Sequence, residues 1–282
     1  MLISMSRHSI RSISRSAISH IAGLAQGAVS IAFPPNCALC GAGVPSHKHA
    51  LCPRCTADTE YGSDAFCLRC GAIKQSGTGV SKICIVCERP GVMFAMQGVS
   101  AAGEFEGSLR ECILRLKFSG ERGLAKPLAA WMYLALSHRD WKPHLIVPVP
   151  LGSTRMWERG FNQAEEIANE LSKLTGLPCH PHAVRRKRNT SPQTQLESAV
   201  ERRTNMKGAF SPDYDAGAIR NKRVLLVDDV STTGATLSAV ARVLNDLGAK
   251  SVHGLLAART PFQPGPGIEP DPRRTPWFQQ RK

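Results

Sequence analysis

The rhythm of apolar and polar positions changes twice along the chain. In residues 1–33, Ile10, Ile13, Ile21 and Leu24 recur at steps compatible with one helical face, with Arg7, Arg11 and Arg15 elsewhere. That spacing predicts a basic amphipathic helix docked on the body. A competing reading is a targeting peptide or a membrane-surface helix, since no Asp or Glu occurs before Asp58. Against secretion, His20 and Gln26 interrupt the apolar part, and no convincing small-residue cleavage site follows. Residues 34–92 are organised by cysteines. From residue 95 to about 260, apolar runs of strand length alternate with helical patterns, which predicts an α/β domain with a mainly parallel sheet. Leu145 to Val149 and Val224 to Val227 read as central strands covered on both faces. Gly160 to Leu174 and Thr236 to Leu247 read as helices, Gly248 as the stop of the second, and Ser251 to Ala257 as a further strand. Residues 261–282 are rich in proline and charge and predict a flexible tail.

Eight of the ten cysteines form four pairs, each with two residues between: Cys37/Cys40, Cys52/Cys55, Cys67/Cys70 and Cys84/Cys87. Two thiolates spaced this way on a tight turn reach one tetrahedral ion, and two such turns close a four-sulfur site. Two structural Zn²⁺ sites are therefore expected, paired most simply in sequence order, with interleaved pairing also open. A disulfide scaffold would need an oxidising compartment. Redox-active pairs of the thioredoxin kind would need a βαβ context absent here. Four-sulfur sites keep no open coordination position, so the metal should be structural. Cys112 and Cys179 read as small buried residues of the larger domain. Whether the ribbons contact nucleic acid, protein or only their own domain is left open by residue type. The formal charge of +14 makes an anionic partner plausible without choosing among nucleic acid, phosphorylated metabolite and acidic membrane. No run of eighteen apolar residues occurs, so no membrane-spanning helix is expected, and a cytoplasmic location is.

The densest chemistry lies where a buried strand meets a helix. Asp228 and Asp229, at the carboxyl end of the 224–227 run, can accept hydrogen bonds from vicinal ribose hydroxyls. Val230, Ser231, Thr232, Thr233, Gly234, Ala235 and Thr236 then supply hydroxyls and open backbone N–H groups at a helix N-terminus, a ready anion site. Asp, Ser and Thr also serve as plain helix caps, but two acids plus five hydroxyl or glycine positions exceed what one cap needs. Arg155 and Arg159 suit phosphate oxygens by their guanidinium forks; the plainer reading is a solvated helix face.

The segment resembles the phosphoribosyl pyrophosphate signature of type I phosphoribosyltransferases. Val147-Pro-Val-Pro-Leu151 with Arg155, Arg159 and Gly160-Phe-Asn-Gln163 is similar to the corresponding stretch of the ComF family. So are Arg186-Lys-Arg-Asn-Thr-Ser-Pro-Gln193, Asn205-Met-Lys-Gly-Ala-Phe210 and the Phe33-Pro-Pro-Asn-Cys37 lead-in. The resemblance covers roughly residues 33–260. It implies a type I phosphoribosyltransferase fold preceded by a small zinc-ribbon module. Asp228 and Asp229 would bind the ribose, Ser231 to Thr236 the 5′-phosphate, and Pro150, Leu151 and Gly152 would form the pyrophosphate loop. Mg²⁺ would accompany phosphoribosyl pyrophosphate. In such enzymes a mobile loop near the basic stretch 184–208 closes over substrate. That stretch could instead track a single-stranded backbone, although it holds no Phe, Tyr or Trp for stacking, or be simply solvated.

Two functions follow as expectations. One is enzymatic, the displacement of pyrophosphate at the ribose anomeric carbon by a nitrogen nucleophile, in DNA uptake, natural transformation or nucleotide metabolism. The other is a non-catalytic competence factor that binds single-stranded DNA and uses the phosphoribosyl site as a sensor or phosphate anchor. A helicase-like competence partner, met through the ribbons, is a third possibility. The acceptor site is not readable from residue types.

Overall fold

The computed structural model describes residues 36–45, 51–57, 66–71, 82–84, 87, 95–188 and 208–260. The expectations for residues 1–33 and 261–282, and for most of the basic stretch, fall outside these residues. The chain divides into two compact units, Met1–Ala57 and Asp58–Lys282.

Among its described residues, the first unit carries one four-cysteine group. Asn36 bridges Gly43 in antiparallel fashion, and the chain reverses through Gly41, whose φ of +73° suits a residue without Cβ. Cys37 N–H donates to Ala42 at 2.7 Å and Gly41 N–H to Cys37 at 2.9 Å. A single helical turn, Pro53–Ala57, carries the fourth ligand. Beyond the cysteines, Val44 and Leu51 are the buried apolar side chains described in this unit.

The second unit is built on four parallel strands: β1 (Gly98–Glu104), β2 (Leu145–Pro148), β5 (Arg223–Ser231) and β6 (Ser251–Arg259), in the order β1-β6-β5-β2. Helix α1 (Gly107–Leu114) runs into a π-turn at Arg115–Ser119, stopped by Gly120 at φ +68°. Then come α2 (Ala125–Ser137), α3 (Ser153–Arg159), α4 (Gln163–Thr175), a two-stranded pair β3 (Val184–Arg186) and β4 (Phe210–Pro212), and α5 (Ala235–Asp246).

Side chains alternate across each strand. Leu145, Val147, Val224, Leu226, Val252 and Leu256 join Leu237, Val240 and Leu244 of α5 in one core. The intervening positions, Ile146 and Leu225 among them, are also fully buried; α2 and α4 pack on each other and on the strands. Helices on both faces explain why these strands read as unbroken apolar runs.

Two boundaries differ from the sequence reading. The strand that was expected to end at Val227 runs to Ser231, and its ladder with β6 includes Asp228, Val230 and Ser231. The helix expected from Gly160 to Leu174 is two helices, because Gly160 adopts φ +75° and ends α3, and Asn162 opens α4.

Candidate functional site

The eight paired cysteines gather into two four-sulfur groups in sequence order. Cys37, Cys40, Cys52 and Cys55 lie with all sulfurs within 4.8 Å of one another, as do Cys67, Cys70, Cys84 and Cys87. Four sulfurs at about 2.3 Å from one ion stand about 3.8 Å apart. The structure gives 3.6 Å for Cys40 Sγ to Cys52 Sγ and 3.7 Å for Cys70 Sγ to Cys84 Sγ. The donor sets thus fit Zn²⁺ and close its coordination. Crowding pushes the Cys70 and Cys87 thiols up, first through their hydrogen bonds with Cys67, a tension that a shared cation relieves. Cys112 is fully buried in the larger unit, and Cys179 lies half-buried, its thiol pushed up to about 12 by burial.

The second group is seated on the sheet. A Cβ on Gly98 of β1 would stand 3.0 Å from the Leu68 carbonyl oxygen, and one on Gly71 3.0 Å from Val99 Cγ1. Glycine at these positions allows the knuckle and the strand to touch.

At the other candidate centre, strand alternation sends neighbouring carboxylates to opposite faces. Asp229 points with Leu225 and Val227; Asp228 points with Val224 and Leu226. Bases from other elements face both. Lys117 Nζ lies 2.9 Å from Asp229 Oδ1, with both side chains mostly buried. The Lys117 charge, and after it that of Arg186 from β3, also favours the ionised Asp228. Arg159 is drawn to Asp229, donates to Gln163 Oε1 at 2.8 Å, and lies over the Phe118 ring with Cζ 5.2 Å from the centroid. Arg155 presses its charge on both Arg159 and Arg186. Burial, then the charge of Asp229, pushes the Asp228 carboxyl up to about 8. Burial in turn lowers the Arg159 and Arg186 guanidinium groups. The result is a pair of acids under the charge of Lys117, Arg159 and Arg186, with Arg155 acting on the two arginines, a field suited to an anion that also carries hydroxyls.

Two family models match the chain: a phosphoribosyl transferase domain over residues 125–266 and a double zinc ribbon domain over residues 28–88. Competence protein F of Haemophilus influenzae is 32% identical over 226 residues, 78% of this chain and 95% of that protein. The chain belongs to the ComF family. Other ComF-family relatives include the DNA utilization protein YhgH of Escherichia coli K12, 28% identical over 79% of this chain and 90% of its own. Competence protein ComFC of Streptococcus pneumoniae is 26% identical over 72% of this chain and 84% of its own. The ComF chain thus combines a double zinc ribbon with a phosphoribosyltransferase domain on a parallel α/β sheet. Among the described residues, no helix is long and apolar enough to cross a membrane.

In this ComF chain the loop between β5 and α5 is Thr232-Thr233-Gly234, with Gly234 at φ +75° as N-cap. Thr232 is exposed, Thr233, Gly234 and Thr236 are partly so, and Ala235 is buried. Thr233 Oγ1 accepts from Ala235 N–H at 3.4 Å. Asp229 N–H donates to Asp228 Oδ1 at 2.9 Å, and Val230 N–H to Asp229 Oδ1 at 2.5 Å, so the carboxylates also hold the strand end. Ser231 is turned inward, its hydroxyl accepting from Arg259 Nη1 at 2.8 Å. Pro150, Leu151 and Gly152 follow β2 beside this loop's strand, with Val149 N–H donating to Val227 at 2.8 Å.

Sequence reasoning missed Lys117, Arg186 as the partner of Asp228, Arg259 and Asn162. Asn162 Nδ2 donates to the Val149 carbonyl at 3.0 Å while its Oδ1 accepts from Ala164 N–H at 3.2 Å. One side chain therefore ties the segment after β2 to the start of α4. The signal was there: Asn is a favoured N-cap, and it follows a glycine stop. Asn162→Ala loses the cap and strands a buried carbonyl, and is expected to cost about 1–3 kcal/mol in urea unfolding with an unchanged m-value.

Proposed function

We propose that this ComF-family chain binds phosphoribosyl pyrophosphate at the carboxyl end of β5. The observation that carries this reading is the Asp228/Asp229 pair, held on opposite faces of one strand under the charge of Lys117, Arg159 and Arg186, with Arg155 next in the basic cluster. In an open parallel sheet, ligands sit at the carboxyl ends of strands. The acids accept hydrogen bonds from the two ribose hydroxyls, Thr232 to Thr236 receive the 5′-phosphate, and Pro150 to Gly152 with Arg155 and Arg159 hold the diphosphate. Asp228 and Asp229 are also the hard oxygen donors suited to Mg²⁺, which when bound offsets diphosphate charge. The reaction that such a site supports is displacement of pyrophosphate by a nitrogen nucleophile. It needs no nucleophilic side chain, because positioning and neutralisation of the departing diphosphate supply the rate. The names of the relatives, competence and DNA utilization proteins, support a role for such a reaction in DNA uptake and natural transformation, with nucleotide metabolism as the other setting.

Titration calorimetry with phosphoribosyl pyrophosphate and Mg²⁺ tests the reading. Saturable heat at one site per chain is expected. Absence of binding by the wild type overturns it. Pyrophosphate release on adding free bases then separates an enzyme from a sensor.

A further inference from the structure

Phe118, in the π-turn, is 72% exposed, yet the chain on both sides of it is anchored. Leu116 is fully buried, and Lys117 Nζ lies 2.9 Å from Asp229 Oδ1 at the end of β5. Just past the turn, Arg122 pairs with Glu166 of α4 and lies over the Phe161 ring, its Cζ 5.2 Å from the centroid. Arg159 of α3 lies over the Phe118 ring at the same distance, Cζ 5.2 Å from the centroid, and is itself held by Gln163, which is 1% exposed and accepts its Nη1 hydrogen bond at 2.8 Å.

A lone exposed apolar side chain is ordinary on a protein surface. Phe118 differs in where it stands: its chain neighbour touches a site carboxylate, and its ring touches an arginine from the helix that follows the Pro150 to Gly152 loop. The ring is therefore fixed between the ribose end and the diphosphate end of the site. Trp157 is more exposed still, but it is two residues from both Arg155 and Arg159 and so lies on the other side of α3.

Arg159 covers one face of the ring and leaves the other open. In the displacement proposed above, Arg159 holds the departing diphosphate, and the nitrogen nucleophile enters the anomeric carbon from the opposite side. The open face thus lies on the nucleophile's side. Ammonia gains nothing from a flat apolar surface, whereas a planar heteroaromatic base gains a stacking partner.

We infer that the open face of Phe118 is the acceptor site, and that the acceptor is a purine or pyrimidine base stacked flat on the ring. The inference rests on the phosphoribosyl reading above. The bond formed joins a ring nitrogen of the base to the anomeric carbon. The bond broken is that carbon's bond to the diphosphate oxygen, whose electron pair leaves with pyrophosphate, and the proton on the attacking nitrogen passes to water.

The test uses the full-length, zinc-loaded protein. Pyrophosphate release from phosphoribosyl pyrophosphate with Mg²⁺ is measured with hypoxanthine, adenine, uracil or ammonium chloride, for wild type, Phe118→Leu and Phe118→Trp, and the affinity for phosphoribosyl pyrophosphate is measured by calorimetry. Wild type is expected to release pyrophosphate with at least one of the bases and not with ammonium chloride. Phe118→Leu keeps apolar bulk without a flat ring; it should raise the KM for that base about tenfold or more, while the affinity for phosphoribosyl pyrophosphate falls no more than about fivefold through the lost Arg159 contact. Phe118→Trp should bring the KM back to within about threefold of wild type. A KM unmoved by Phe118→Leu overturns the inference, and so does release by ammonium chloride in preference to every base. Release by none of the four from a protein that binds phosphoribosyl pyrophosphate also overturns it and leaves the phosphoribosyl reading standing. Weaker binding of an oligodeoxythymidine by Phe118→Leu, with the KM unmoved, would give the ring to single-stranded DNA instead. A wild type that binds no phosphoribosyl pyrophosphate removes the phosphoribosyl reading and the acceptor site with it.

Discussion

Asparagine at both 228 and 229 is expected to abolish phosphoribosyl pyrophosphate binding in calorimetry, while Asp228→Asn alone makes the ligand-free protein more stable. The two effects share one cause. Asp228 sits partly buried beside a second acid, and its carboxyl is pushed up to about 8, first by burial and then by the Asp229 charge. In the unfolded chain the same group titrates near about 3.9. Between those values the folded state binds more protons than the unfolded state, so this group's contribution to stability falls as pH rises through the window. Above pH 8 the folded protein carries the full penalty. Asparagine keeps the shape and removes the charge, so the thermal midpoint at pH 8 should rise. The gain is about 1–3 kcal/mol, discounted for partial exposure and for the nearby Lys117 and Arg186, and it should vanish near pH 4. A midpoint that falls at pH 8, or a gain independent of pH, would show that Asp228 is not electrostatically strained. Sites that hold ligands commonly carry such a stability deficit.

The second large effect concerns the first four-sulfur group. Its unit contributes Val44 and Leu51 as described buried apolar residues, far too little to offset the entropy of ordering even the described residues 36–45 and 51–57. Ligation must supply the difference, and structural Zn²⁺ in small modules contributes about 10–16 kcal/mol. Cys52→Ser with Cys55→Ser should therefore lose one zinc per chain and open the segment around residues 36–57 to limited proteolysis, with far-UV circular dichroism of the body little changed. Protease resistance at wild-type level with one zinc missing would contradict a metal-dependent fold for this unit.

Much of this was legible in the sequence because the signals are local. Paired cysteines report a knuckle by spacing alone, and the 145–149 and 224–227 runs report doubly covered strands by their lack of polar positions. The two carboxylates and the hydroxyl-rich loop stand in one short segment. What escaped is what depends on distant chain. Lys117 reaches Asp229 from the π-turn at Arg115–Ser119 into which α1 widens, and nothing in the residue types marks that widening. Arg186 lies on a three-residue strand whose partner begins at Phe210, too short and too far apart for alternation to reveal. The run 224–227 was ended at its first charged residue, since a carboxylate inside a central strand is costly unless a base awaits it. The bases do await it, from other elements. Ser231 was assigned by residue type to the phosphate loop, and the structure gives its hydroxyl to Arg259, a role that becomes visible only once β5 and β6 are side by side.

The close fit of Gly98 and Gly71 bears on how the protein can be taken apart. A cassette that can be lifted out leaves behind a surface that tolerates side chains. Here, adding even a methyl group at either glycine would meet Leu68 or Val99 at 3.0 Å. The second knuckle is therefore a wall of the larger unit. A fragment beginning at residue 58 should be expressed and purified as an intact zinc protein, and one beginning at residue 95 should expose the edge of β1 and aggregate. Dissection of this chain belongs between the two four-sulfur groups, at the break after Ala57.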